Sequence, residues 1–233
     1  MLIGHIGARG GSKGVPGKNL ITFGGVPLIE WSIKRLQQSG LVEDIYVNTD
    51  DELIASIGLN YGCRVIDREK QLGSDTASKF DVWKSSVLQI RKERGVEHLD
   101  IIDLDCTSPL RSVDDVCGAY EKYKTFGEPV LLMSVCQPRK NPYFNMVEIN
   151  GGKLQIVKSH PNLASPCRRQ DAPIVYDHAA SIYIFSSDIL NHQTLFENTV
   201  IPYEMEWWKC WDIDEVLDLS ICDFFRVKFG VNF

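Results

Sequence analysis

Acidic residues are missing from the head of the chain: none occurs before Glu30. Yet the whole chain is acidic, with 31 Asp and Glu against 25 Lys and Arg and a net charge of -6. No basic stripe offsets that balance. This argues against a nucleic-acid surface and leaves one local basic segment suited to a small anionic ligand. No Cys-x-x-Cys pair occurs among the seven cysteines, Cys63, Cys106, Cys117, Cys136, Cys167, Cys210 and Cys222, and their odd number argues against a disulfide framework. Buried thiols in a reducing cytosol fit them, so a cytoplasmic protein is expected. The five histidines, His5, His98, His160, His178 and His192, show no metal-ligand spacing. His5 reads as a satisfied core residue. No apolar run approaches the length of a membrane span, and the N-terminus lacks the charged start of a secretory signal, so no membrane partner is expected. Nor is there a Ser/His or Cys/His arrangement that would mark a covalent nucleophile with its base.

What the head of the chain does have is the run Gly7-Ala8-Arg9-Gly10-Gly11-Ser12-Lys13-Gly14-Val15-Pro16-Gly17-Lys18-Asn19. It follows a short apolar stretch, Leu2 to Ile6, and holds five glycines and three cations. Glycines let a backbone approach a ligand closely and turn its N–H groups inward. Cations beside those groups suit a multiply charged anion, and a triphosphate cradle is the reading that follows. It is not a P-loop: Gly17-Lys18 is correctly spaced, but Ser12 stands where Gly is needed and Asn19 where Ser or Thr is needed. It also lacks Gly-x-Gly-x-x-Gly, which disfavours a dinucleotide site. The alternative is a solvated glycine turn.

At 233 residues and 44% hydrophobic, the chain can bury one large core, and a single domain over 1–233 is expected. Apolar runs at Ile45–Val47, Ile101–Leu104 and Val130–Val135 read as buried strands. Helical stripes alternate with them: Leu28, Ile29, Ser32, Ile33 and Leu36; then Phe80, Trp83, Val87 and Ile90; then Val116, Ala119, Tyr120 and Tyr123 behind a capping-box start at Ser112 and Asp115. Such alternation implies an α/β fold, a parallel sheet with helices on both faces. From Pro138 to Pro173 the pattern changes. Five prolines and an Asn150-Gly151-Gly152 hairpin turn point to an inserted arm, laid beside the sheet or reaching another subunit. Core strands resume at Ser181–Phe185, and a last helix carries Val216, Leu217, Ile221, Phe224 and Phe225.

In such a sheet ligands sit at the C-terminal strand ends. There the chain delivers the glycine loop, Asp50, the run Cys106-Thr107-Ser108-Pro109-Leu110-Arg111 and, after a strand expected through Trp207–Trp211, Asp212-Ile213-Asp214. Positions 212 and 214 of an extended stretch face one side, and two carboxylates with oxygen donors only suit Mg²⁺. The bland alternative makes Asp214 the cap of the last helix, and Asp218 reads as a solvated helix residue. Cation cradle, carboxylate pair and polar crevice together describe nucleotidyl transfer from a nucleoside triphosphate, chemistry that depends on positioning and charge neutralisation.

The motifs Ala8–Asn19, Ser74-Asp75-Thr76-Ala77-Ser78, Thr107–Arg111, Arg168-Arg169-Gln170-Asp171 and Asp212-Ile213-Asp214, in this order along almost the whole chain, resemble those of the acylneuraminate (CMP-sialic acid) cytidylyltransferases. The resemblance implies a Rossmann-like three-layer α/β/α nucleotidyltransferase fold with a mostly parallel sheet, usually dimeric, the 138–173 arm completing the neighbour's sugar site. It implies CTP bound through Arg9, Ser12, Lys13 and Lys18, with Asn19 near the nucleotide and Arg68 and the Ser74–Ser78 turn holding cytidine. Asp212 and Asp214 would hold Mg²⁺. The anomeric hydroxyl of a nonulosonic acid would attack the α-phosphate, with Asp214 helping to deprotonate it. Asp105, Thr107, Arg111 and Gln170 would complete the substrate contacts, and Arg168 or Arg169 would meet the sugar carboxylate.

Two departures set the chain apart. The sialic acid enzymes usually carry Gln-Pro where this chain has Asp105-Cys106, and Asn-Gly where it has Ala179-Ala180 after Asp177-His178. Both changes resemble the bacterial branch that activates legionaminic acid and related sugars, whose methyl in place of the C9 hydroxyl suits a less polar wall. Within the same chemistry, sialic acid, pseudaminic acid and 3-deoxyoctulosonate remain alternatives. Outside it stand a non-catalytic nucleotide-binding regulator and a glycosyltransferase using Asp103-Leu104-Asp105 as its metal clasp.

Overall fold

Leu2, Ile3 and Ile6 lie on both sides of the first strand, and all are buried. A strand apolar on both faces needs cover on both, and that requirement organises the molecule. The structure is a computed structural model that describes residues 1–12, 14–74, 77–127, 129–159 and 168–233. Lys13, Asp75 and Thr76, named above for the site, lie outside the described residues, as does Cys167.

In chain order the elements are β1 (Leu2–Gly7), the hairpin β2 (Thr22–Phe23) and β3 (Val26–Pro27), α1 (Leu28–Ser39), β4 (Asp44–Thr49), α2 (Glu52–Asn60), β5 (Arg64–Asp67), α3 (Lys79–Arg94), β6 (Asp100–Leu104), α4 (Val113–Lys124), β7 (Leu131–Cys136), β8 (Val147–Asn150), β9 (Lys153–Ile156), β10 (Asp177–Ser186), β11 (Val200–Met205) and α5 (Val216–Phe229). Seven strands make the main sheet in the order β11-β7-β10-β6-β1-β4-β5. Six run in one direction, and β10 runs against both its neighbours.

One face packs Leu2 and Ile6 of β1 against Ile29, Ile33 and Leu36 of α1, Ile54 of α2 and Val116 of α4. The other packs Ile3 and Tyr46 against Phe80, Trp83, Val87 and Ile90 of α3. Alternation along β1 thus feeds two cores, giving three layers. Side chains set the helix starts: Asp51 accepts from the N–H groups of Leu53 and Ile54, Ser78 from Asp81, and Ser112 and Asp115 close the expected capping box.

A third, smaller core joins Phe23, Leu28, Trp31, Trp208, Ile213 and Phe225, and it ties the chain's tail to the neighbourhood of its head. Here one expectation fails. Trp207–Cys210 is a 3₁₀ turn, and the strand lies earlier, at Val200–Met205. Once Met205 has paired with Cys136 at the end of β7, the ladder has no partner left. The following tryptophans turn onto α5 instead: Trp208 stacks on Phe229 and Trp207 meets Phe225 edge-on.

Strands β8 and β9 form a hairpin separate from the main sheet, turning through Gly151 and Gly152 at φ 58° and 77°, the left-handed region that a two-residue turn needs. The six cysteines among the described residues are unpaired. No helix of the described residues is long and apolar enough to cross a membrane.

Candidate active site

The C-terminal ends of β1, β4, β5, β6 and β7 share one edge of the sheet, and the start of β10 reaches the same edge. Two adjoining cavities open there. The larger, about 570 Å³, is lined by Arg9, Ser12, Lys18, Asn19, Arg68, Ser74, Lys79, Asp105 and Thr107 among others. The smaller, about 300 Å³, is lined by Arg139, Asp177, His178, Ala179 and Asp212 among others. Asp214 borders both.

The loop after β1 is fixed from both sides. The N–H of Gly10 donates to Asp50 Oδ1 at 2.8 Å, and a Cβ at Gly10 would sit 2.7 Å from Asp51 Oδ2. Asn19, buried, donates to the carbonyl of Arg9 at 3.0 Å and so closes the loop on itself. At its far side a Cβ on Gly14 would meet the Asp214 carbonyl at 2.6 Å, so only glycine permits that approach. Lys18 Nζ donates to Asp214 Oδ1 at 3.0 Å. Head and tail of the chain therefore meet across the larger cavity.

The tail is anchored in turn. Ile213 N–H donates to the Thr107 carbonyl at 2.9 Å, and the Ser108 hydroxyl bonds Asp212 Oδ1. Asp218 accepts from Trp211 Nε1 and from the N–H groups of Asp214 and Glu215, at 2.8–3.0 Å. It is thus the clasp of the 211–215 segment rather than a solvated residue, and Glu215, not Asp214, caps α5. Burial pushes the Asp212 carboxyl up to about 6; Asp105 and Asp214 add to this, and Ser108 and Arg111 oppose it.

Several expected contacts take other forms. Arg111 is fully buried and faces inward, bonding Ser181, Ser32 and the Asp105 carbonyl, so it shapes the β6 end rather than the cavity wall. The Ser78 hydroxyl is engaged at the start of α3, with Asp81. Arg168, exposed, pairs bidentately with Asp171 at 2.9 Å, while Arg169 donates to the carbonyl of Arg139. Those two and Gln170 line neither cavity within the one chain. Arg68 is buried but reaches the larger cavity, held by Asn48 at 2.6 Å and 3.0 Å, and burial lowers its guanidinium from the ordinary value.

The Asp103-x-Asp105 spacing does put both carboxylates on one face of β6, but Lys79 at the start of α3 occupies the position between them. Its Nζ lies 2.7 Å from Asp103 Oδ2 and also bonds Asp105 Oδ1. Burial opposes the Lys79 charge; Asp103 and Asp105 outweigh it and hold the ammonium above the ordinary lysine value. A metal clasp at this pair is thereby filled by an internal cation. His5 bonds Asp103 at 2.5 Å and Ser86 at 2.9 Å, the satisfied core residue expected. Lys79, His178 and Asp218 escape sequence reasoning. Only the same-face spacing of the two aspartates, which demands a counter-charge on the covering helix, could have signalled Lys79.

Among the described residues no three acidic, His or Cys side chains gather to hold a metal ion. Two hard carboxylates, Asp212 and Asp214, still fit Mg²⁺, which keeps several waters and is commonly held by one or two carboxylates plus substrate phosphates.

Comparison with known proteins gives the family and the fold. The sequence model described as cytidylyltransferase matches residues 3–220. The chain is 38% identical over 219 residues to the post-translational flagellin modification protein B of Campylobacter coli, covering 93% of this chain and 91% of that protein. It is equally similar, with the same coverage, to the CMP-N,N'-diacetyllegionaminic acid synthase of Campylobacter jejuni. Its fold matches a CMP:2-keto-3-deoxy-manno-octonic acid synthetase solved with CTP, at a TM-score of 0.70 and 16% identity over 98% of this chain and 99% of that one.

Proposed function

Because the chain belongs to the cytidylyltransferase family, we propose that it transfers CMP from CTP to the anomeric hydroxyl of a nonulosonic acid of the legionaminic type and releases pyrophosphate. The observation that carries this reading is the meeting of Lys18 and Asp214 at the border of the two cavities. A nucleotide in the larger cavity would have its triphosphate among Arg9, Ser12 and Lys18, and its base toward Arg68 and Ser74. The acceptor acid would enter the smaller cavity, where Ala179 supplies an apolar wall and the relative that makes CMP-N,N'-diacetyllegionaminic acid supports the choice of sugar.

In this reading Arg9 and Lys18 neutralise charge on the triphosphate and on the departing pyrophosphate. Asp212 and Asp214 would hold Mg²⁺, which supplies further charge neutralisation on the phosphates. Asp214 accepts the proton of the anomeric hydroxyl as the new P–O bond forms. The segment 138–173 acts as a dimerisation arm. Val147 and Ile149 pair with Ile156 and Leu154 across one face of the β8–β9 hairpin, and all four are exposed. In the homodimer Arg168 or Arg169 would meet the sugar carboxylate of the neighbouring site. The unpaired cysteines suit a cytoplasmic enzyme.

The test is pyrophosphate release from CTP and Mg²⁺ with a panel of legionaminic, sialic, pseudaminic and 3-deoxyoctulosonic acids. Fastest turnover of the legionaminic acid is expected. Equal rates on sialic acid would remove the sugar preference, and release with none of the four would overturn the transfer itself.

A further inference from the structure

Beneath the larger cavity seven side chains form one unbroken run of hydrogen bonds. Arg68 Nε donates to Asn48 Oδ1 at 2.6 Å, and Asn48 Nδ2 donates to Ser86 Oγ at 2.8 Å. Ser86 Oγ is in turn hydrogen-bonded to His5 Nε2 at 2.9 Å, and His5 Nδ1 to Asp103 Oδ1 at 2.5 Å. Lys79 Nζ closes the run by donating to Asp103 Oδ2 at 2.7 Å and to Asp105 Oδ1. His5, Asn48, Ser86 and Asp103 are all buried.

One ammonium thus answers two carboxylates, and the two are not equivalent. Asp103 is fully enclosed and has both oxygens bonded. Asp105 stands on the wall of the larger cavity, close enough to the smaller one for its charge to act on Asp212 and His178 there; it is held by Oδ1 alone, and its Oδ2 has no hydrogen-bond partner among the described residues. Lys79 itself packs against the rings of Tyr183 and Trp83, 4.5 Å and 5.6 Å from their centroids, which adds cation–π contacts. The neighbouring Tyr183 hydroxyl lies 3.0 Å from His178 Nε2, and His178 lines the smaller cavity.

We propose that Lys79 is a positioning residue for the acceptor sugar: it tethers Oδ1 of Asp105 and aims Oδ2 into the site as a fixed acceptor for an N–H or O–H donor of the acid. Lys79 also lines the larger cavity, but its role for the acid is exerted through Asp105, and the KM for CTP separates the two. The inference rests on the transfer reaction proposed above. A hydrogen bond to a carboxylate that must first be re-ordered loses most of its value, about 10- to 100-fold in kcat/KM.

The experiment measures KM for CTP and for the best acid of the panel separately, in Lys79→Met, Asp105→Ala and the double variant. Lys79→Met is expected to raise the KM for the acid about tenfold or more while the KM for CTP stays within twofold. The double variant is expected to lose no more than Asp105→Ala alone, because both changes remove one and the same contact. Lys79→Met leaves Asp103 buried without its cation, so Lys79→Met with Asp103→Asn is measured alongside it. That pair removes both buried charges and keeps an acceptor for His5, and the same selective rise is expected. An unchanged KM for the acid in this pair, a parallel rise for CTP, or additive losses in the double variant would overturn the role of Lys79. A wild type that releases no pyrophosphate with any acid would overturn the transfer reading, and the role of Lys79 with it.

Discussion

Lys18 and Asp214 stand 196 positions apart in sequence and 3.0 Å apart in space. An exposed ion pair of this kind adds little to stability, and Asp214 is largely exposed. In the proposed reaction its value would lie in what replaces it: Lys18 would turn to phosphate, and Asp214 would be freed to hold the metal. Lys18→Ala is therefore expected to leave the melting temperature nearly unchanged and to lower kcat/KM for CTP by roughly 10²-fold, as measured by pyrophosphate release. Asp212 shows the opposite balance. Its pKa is raised to about 6, mainly by burial, against an ordinary 3.8. The folded state then holds a proton that the unfolded state gives up between those values, so stability falls as pH rises through that window and stays reduced above it. Asp212→Asn is expected to be inactive, yet more stable than the wild type by about 1–3 kcal/mol at pH 7–8 without divalent metal. That gain should shrink as pH is lowered through 6 toward 4. Thermal melts across pH 4–8 in chelator would show it, and a gain independent of pH would contradict it.

At the scale of elements, the segment 211–215 has no ladder to hold it and depends on Asp218, which takes three N–H donors from it at 2.8–3.0 Å. Asp218→Ala is expected to cost about 1–2 kcal/mol from the lost capping box. It should also raise the Mg²⁺ concentration for half-maximal activity several-fold, since Asp212 and Asp214 lose their fixed backbone; a metal titration of the variant checks this. Much of the element pattern was legible. The β1 loop betrays itself by its glycines and by cations with no acid near them in sequence, and Ser112 with Asp115 marks the start of α4 by spacing alone. The reversed direction of β10 was not legible, because Ser181–Phe185 is an apolar run that reads alike in parallel and antiparallel pairing. The 3₁₀ turn at Trp207–Cys210 was hidden for a related reason: an aromatic run reads alike whether it pairs in a sheet or, as here, packs on a helix further along the chain. Lys79 joins Asp103 and Asp105 across 24 and 26 positions, beyond the reach of any local pattern.

At the scale of the whole molecule, the sheet brings the basic head and the acidic tail to one edge, while the hairpin stands apart with its apolar face in solvent. Ile149 and Leu154 are 77% and 70% exposed and directly opposed across the two strands. An isolated two-stranded hairpin is at best marginally stable in water, so that face calls for a partner surface. If the partner is a second copy, the contact is reciprocal about a two-fold axis, and each hairpin carries its own Arg168–Gln170 stretch toward the other copy's smaller cavity. Placing a charge on the buried face then breaks both contacts at once. Ile149→Glu with Leu154→Lys is expected to shift the protein from dimer to monomer in sedimentation velocity. In the monomer, CTP binding should persist, because Arg9, Lys18 and Arg68 all belong to one chain's cavity. Turnover of the acid should fall by at least tenfold, because the arginines meant for its carboxylate would no longer be supplied. A monomeric variant with undiminished turnover would separate the arm from the sugar site and return Arg168 and Arg169 to the solvent surface.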